Sequence, residues 1–100
     1  MVYLGHVQEV MRRMGQRTWV STRTVRRWLD VPPGFDIDHI VPRSLGGWDH
    51  PTNYFLVRTE LNRAWGANWH AQKRAALGRD AVQHALHFAQ HNRDRAQRRA

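Results

Sequence analysis

Apolar residues recur at helical spacing through Val2, Val7, Val10, Met11 and Met14, with Arg12 and Arg13 on the other side and Gly15 placed to end the element. A helix over 2–14 is predicted. Ser21 then precedes a short stripe of Val25, Trp28 and Leu29; its hydroxyl is a natural N-cap, and Pro32 and Pro33 close the segment. The period shortens to two in FDIDHIV and again in YFLVRT, both rich in β-branched and aromatic residues, which predicts the two strands of a hairpin. The intervening PRSLGGWDHPTN is too long for a tight turn, and Gly46-Gly47 permits positive φ, so an irregular loop is expected. Thr59 reads as the N-cap of a helix with Glu60 in its first turn, carrying Leu61, Ala64, Trp65 and Trp69 inward. Gly78 punctuates, and AVQHALHFAQHNRDRAQRRA reads as a last helix that packs Val82, Leu86 and Ala89 and frays in its arginine-rich tail.

One hundred residues suffice for one modest core. The expectation is a single α+β domain: a basic helical part over 1–33, a hairpin-and-helix core over 34–66 and a helical part over 67–100. With no cysteine, neither disulfides nor thiolate zinc can staple it, so stability must come from packing. Polar residues interrupt the opening MVYLGHVQEVMRRMG before any apolar run reaches signal or membrane length; no membrane partner and a cytoplasmic location are expected.

Charge sharpens the picture. Sixteen Lys and Arg against eight Asp and Glu leave a net +8, and a polyanion is the obvious partner. Fifteen of the sixteen cations are arginine, which suits bidentate phosphate contacts, although a GC-rich genome would produce the same bias.

If the two strands pair and the helix from Thr59 packs across them, Asp38, His39, Asn53 and Asn62 can converge despite separations of 15 residues from Asp38 to Asn53 and 9 from Asn53 to Asn62. The series Asp38-His39-Ile40-Val41-Pro42, Gly46-Gly47, Asp49-His50-Pro51-Thr52-Asn53 and Leu56 to Asn62 resembles the HNH endonuclease motif of the ββα-metal fold, in its Asp-His, Asn, Asn variety. The resemblance spans roughly residues 34 to 66 and implies roles residue by residue. Asp38 and Asn62 would hold the metal, His39 would be the general base, and Asn53 would tie the loop to the backbone around the histidine. Oxygen donors suit Mg²⁺ or Mn²⁺ better than Zn²⁺. Imidazole changes charge near neutrality, which suits it to take a proton from an attacking water. The expected activity is metal-dependent hydrolysis of DNA phosphodiester bonds, one strand per site. Duplex DNA is the expected substrate, and RNA is left open by the sequence. Arg43, Arg58, Arg63, Arg23, Arg26 and Arg27 are the candidate nucleic-acid contacts. Many members read N-x-x-K-G at the end of the motif; here Asn62-Arg63-Ala64-Trp65-Gly66 has Trp in the cation's place, and Arg63 is the nearest replacement.

Other features admit plainer readings. Asp36 shares a strand face with Asp38 and is read as an exposed acid before a second ligand, and His50 as a solvated turn residue. His84, His87 and His91 lie on one helical face; with no acid or cysteine nearby, a polar face is preferred to a zinc or copper site. The alternative function is a DNA-binding regulator with a non-catalytic hairpin, because VSTRTVRRWL resembles the turn and recognition helix of a helix-turn-helix protein. Gln16 to Trp19 intrude where that motif normally allows no insertion, which favours a basic supporting helix instead.

Overall fold

The predicted hairpin forms. In the computed structural model, which describes residues 2–66 and 71–99, β2 (Phe35–His39) and β3 (Tyr54–Arg58) pair antiparallel with His39 opposite Tyr54 and Phe35 opposite Arg58. Side chains alternate between faces along a strand. Phe35, Ile37 and His39 therefore share one face with Tyr54, Leu56 and Arg58, and Asp36 and Asp38 share the other with Phe55 and Val57.

A third strand completes the sheet in the order β1-β3-β2. It is β1 (Val2–Tyr3), which pairs with β3 through Val2–Val57 and Tyr3–Leu56. This overturns the helix expected over 2–14. The helix α1 covers only Val7–Met14, because the first residues satisfy the backbone of β3's far edge, which would otherwise be unpaired. Met11, placed on the apolar stripe by the sequence, is exposed.

Helices cover both faces. On the first, α1 and α2 (Thr22–Trp28) bury Val10, Met14, Val20 and Val25 against Tyr54, with Trp28, Leu29 and Ile37 at the margin. Ser21 caps α2 as expected, its Oγ accepting from the amide of Thr24 at 3.2 Å. On the second, α3 (Thr59–Trp65), α4 (Ala71–Leu77) and α5 (Arg79–Arg99) pack Trp65, Leu77, Val82, Ala85 and Ala89 onto Phe55 and Val57. The fold is thus a small α+β domain whose hairpin carries a helix at its end.

Three finer expectations change on this second face. Thr59 is not the cap but the first residue of α3: Arg58 precedes it as N-cap, because β3 runs straight into the helix, and the Thr59 hydroxyl donates to Asp36 instead. Gly66, at φ 65°, ends α3, and Ala64 is exposed; the inward placement of Trp69 falls outside the described residues. Leu86 is 39% exposed although Val82 and Ala89 on the same helix are buried.

Candidate functional site

The loop between β2 and β3 is braced from its centre. Asn53 is buried, and its amide engages three backbone groups: Oδ1 accepts from Val41 N at 2.9 Å, and Nδ2 donates to the carbonyls of Val41 at 3.1 Å and Trp48 at 3.0 Å. Its own carbonyl accepts from Ile40 N at 2.7 Å. One residue thus welds the segment after His39 to the far end of the loop. Gly47 is needed for the fit, since a Cβ there would lie 1.8 Å from the Val41 carbonyl oxygen, and Gly46 turns the chain at φ 93°. From outside, Asn92 on α5 donates to the Gly46 carbonyl at 3.0 Å.

The braced loop brings Asp49 back to His39. The imidazole Nε2 lies 2.8 Å from Asp49 Oδ1, and its ring packs edge-on to Tyr54 with centroids 5.1 Å apart. Nδ1 is 4.0 Å from Asp38 Oδ1, an oxygen that also accepts from the His39 amide at 2.8 Å. A carboxylate on Nε2 holds that nitrogen as the donor and leaves Nδ1 as the basic one. Burial and the negative charge of Asp49 push the Tyr54 phenol well above its ordinary range, so it stays protonated and donates to the carbonyl of Val20.

Asp36 and Asn62 form the other half of the constellation. Asn62 Nδ2 donates to Asp36 Oδ2 at 3.0 Å and Thr59 Oγ1 to Asp36 Oδ1 at 2.8 Å. These hydrogen bonds, first that of Asn62 and then that of Thr59, hold the Asp36 carboxyl below its usual range, with Arg26 and Arg63 adding positive charge. The exposed strand acid expected at 36 is instead a half-buried anchor for Asn62, because Thr59 entered the helix one position earlier than its cap assignment. Asn62 Oδ1 is buried without a hydrogen-bond partner. An orphaned hard oxygen is a site that a cation would satisfy. Asp38 lies two residues along the same strand face, so Asp38 and Asn62 could together offer oxygens to Mg²⁺ or Mn²⁺, and the residues present fit such an ion. Among the described residues, no group of three or more His, Cys, Asp or Glu is arranged to hold a metal.

Lys73 enters from α4. It is 2% exposed, with Nζ 5.4 Å from the centre of the Phe55 ring, on the face that Asp38 shares. Burial lowers its pKa, and the charge of Asp38 opposes that shift. No local pattern signals this, because the contact depends on where α4 docks.

The candidate arginines are dispersed. Arg43 is exposed and 3.8 Å from Asp49, at the rim of the His39 site, and Arg63 is exposed on α3 near Asp36. Arg58 lies over Phe35 at 5.3 Å on the opposite sheet face. Arg23 and Arg27 are exposed on α2, whereas Arg26 donates to the Phe35 carbonyl at 2.7 Å and pins α2 to the start of β2. The histidines of α5 do not gather. His84 tilts against Phe88, His91 meets Trp48 edge-on, and His50 stacks on Phe88 with centroids 5.2 Å apart. His50 is buried rather than solvated, its Nδ1 accepting from Thr52 N at 3.2 Å.

No helix among the described residues is long and apolar enough to cross a membrane. Comparison with protein-family models, with curated proteins and with solved structures finds no match. The geometry of the site therefore carries the functional reading.

Proposed function

We propose that the chain is a metal-dependent endonuclease of the HNH, ββα-metal type that hydrolyses phosphodiester bonds in DNA. The observation that carries this reading is the His39–Asp49 contact, built on a loop that Asn53 braces and adjoining Asp38 at 4.0 Å. A histidine with one nitrogen bonded to a carboxylate and the other turned to a metal-binding acid is suited to take a proton from water.

In this reading Nε2–H of His39 is held by Asp49, and Nδ1 accepts the proton as water attacks phosphorus. Asp49 would keep the ring oriented and balance the imidazolium that forms, as the acid of a catalytic triad does for its histidine. Asp38 and the Asn62 amide oxygen would hold a Mg²⁺ or Mn²⁺ ion, which would supply positive charge to the scissile phosphate and the leaving oxygen. Asp36 does not need to touch that ion; it turns the Asn62 amide so that Oδ1 points away from its own carboxylate. Arg43 and Arg63 stand at the rim where the DNA backbone would run. One site per chain implies nicking of one strand at a time.

The test is cleavage of supercoiled plasmid with Mg²⁺, Mn²⁺, Zn²⁺ or EDTA, scored for nicked and linear product. Nicking with Mg²⁺ or Mn²⁺ and none in EDTA is expected. No cleavage with any metal, or undiminished cleavage in EDTA, overturns the reading.

A further inference from the structure

The segment that spoils the helix-turn-helix resemblance has a place beside the candidate site. Residues 15–21 between α1 and α2 are tied to the β2–β3 loop by Val20 N, which donates to the Asp49 carbonyl at 2.9 Å, and to the start of β3 by the Tyr54 hydroxyl, which donates to the Val20 carbonyl. These bonds fix the backbone next to Trp19, a residue that is 62% exposed. An exposed indole offers an aromatic face on which a planar ring can stack. Trp19 stands between two clefts. One, of about 270 Å³, is lined by Thr18, Trp19, Trp48 and Asp49; the other, of about 410 Å³, has Arg17 and Thr24 on its walls. Trp48 makes edge contacts to Phe88 and His91, and the first cleft is lined by two tryptophans together with Asp49, the residue whose carboxylate bonds His39.

We infer that this cleft receives an unpaired nucleobase next to the scissile phosphate, stacked on Trp19, with Arg17 on the backbone beyond it. The occupant follows from the surroundings: a net charge of +8, Arg17 on the wall of the adjoining cleft, Arg43 3.8 Å from Asp49, and two tryptophans sharing the cleft with the acid that bonds His39. Stacking on an exposed aromatic beside cationic side chains is how unpaired strands are held without sequence readout. The inference rests on the endonuclease reading for the identity of the neighbouring phosphate, but its test requires no cleavage.

The measurement is fluorescence anisotropy of a labelled single-stranded oligodeoxynucleotide in EDTA, beside a strand of equal length with abasic sites throughout. Four full-length proteins are compared: wild type, Trp19→Ala, Trp19→Leu and Trp19→Phe, each checked by circular dichroism and melting. Stacking predicts that Trp19→Ala and Trp19→Leu weaken binding to the base-containing strand by roughly 5- to 150-fold, that Trp19→Phe loses less, and that all four proteins bind the abasic strand alike. Unchanged affinity in Trp19→Ala, an equal loss on the abasic strand, or retention by Trp19→Leu equal to that by Trp19→Phe overturns it. Absence of wild-type binding to either strand also overturns it. If plasmid nicking fails while these differences hold, the endonuclease reading falls and the base cleft stands.

Discussion

His39 Nε2 and Asp49 Oδ1, ten positions apart in sequence, lie 2.8 Å apart across a loop whose shape Asn53 sets. The two residues should therefore fail differently. Replacing His39 by Ala removes the proposed base and should cost on the order of 10²–10⁴-fold in cleavage rate while leaving DNA affinity intact. Asp49→Asn keeps a hydrogen-bonding group but loses the charge, and should retain more activity than His39→Ala. Single-turnover cleavage at saturating protein measures both. A His39→Ala protein that cuts at near wild-type rate would place the base elsewhere.

Asn53 acts through the backbone, and its loss should be seen first in stability. Asn53→Ala removes the acceptor of Val41 N–H and the donor to the carbonyls of Val41 and Trp48. An unsatisfied buried group costs about 1–3 kcal/mol, so a loss of a few kcal/mol is expected on denaturant unfolding. Asn53→Asp should be no rescue, because a carboxylate cannot donate to two carbonyls. Activity should fall in both variants even under conditions where they remain folded, since His39 and Asp49 would no longer be held in register.

Local signals predicted the parts of this fold that local forces decide. The alternation of FDIDHIV and YFLVRT gave the hairpin, Ser21 gave the start of α2, and the Gly46-Gly47 pair marked an irregular loop. Pairings across the chain were less visible. Val2 sits at helical spacing from Val7 and Val10, yet it pairs with Val57 because an edge of β3 lay open, which no window of adjacent residues reveals. The same holds within the site. Asn53 bracing the backbone after His39 was expected from the motif, whereas Asp49 on His39, Asp36 on Asn62 and Lys73 near Asp38 depend on how the loop closes and where two helices dock. Asp36 in particular was misjudged for a small reason. Moving Thr59 from the cap into the first helical position redirects one hydroxyl, and that is half of what holds the acid.

Two buried histidines make stability depend on pH. His6 is 1% exposed, with Nε2 2.9 Å from the Pro51 carbonyl, and burial lowers its pKa; His50 is lowered by burial and then by the charge of His84. Both favour the neutral ring in the folded state. The stability they contribute is present above the unfolded value, about 6.5, and is lost as pH falls through the lower folded values. The loss should not exceed about 1.4 kcal/mol per pH unit for each histidine. Urea unfolding between pH 8 and pH 5 should show a declining midpoint, and His6→Gln, which can keep a donor on the Pro51 carbonyl, should flatten the decline. A midpoint that rises toward pH 5 would mean that neither ring is neutral in the fold.

The oxygen of Asn62 without a partner leads to the most discriminating expectation about the metal. If that oxygen and Asp38 hold the ion, Asn62→Ala should raise the concentration of Mg²⁺ or Mn²⁺ needed for half-maximal cleavage while leaving the saturated rate less affected. Asp38→Ala, which removes a charged ligand, should lose both. Asp36→Ala is the informative third variant. It leaves the proposed ligands in place but removes both oxygens of the acceptor that holds Nδ2 of Asn62, so the amide is free to turn and present nitrogen instead of oxygen. Its metal requirement should rise toward that of Asn62→Ala, and combining the two changes should add little, because both act through one oxygen. Calorimetric titration of Mn²⁺ into each protein bound to uncleavable DNA measures this without turnover. Additive losses in the double variant would show that Asp36 contributes to metal affinity by a route other than orienting Asn62.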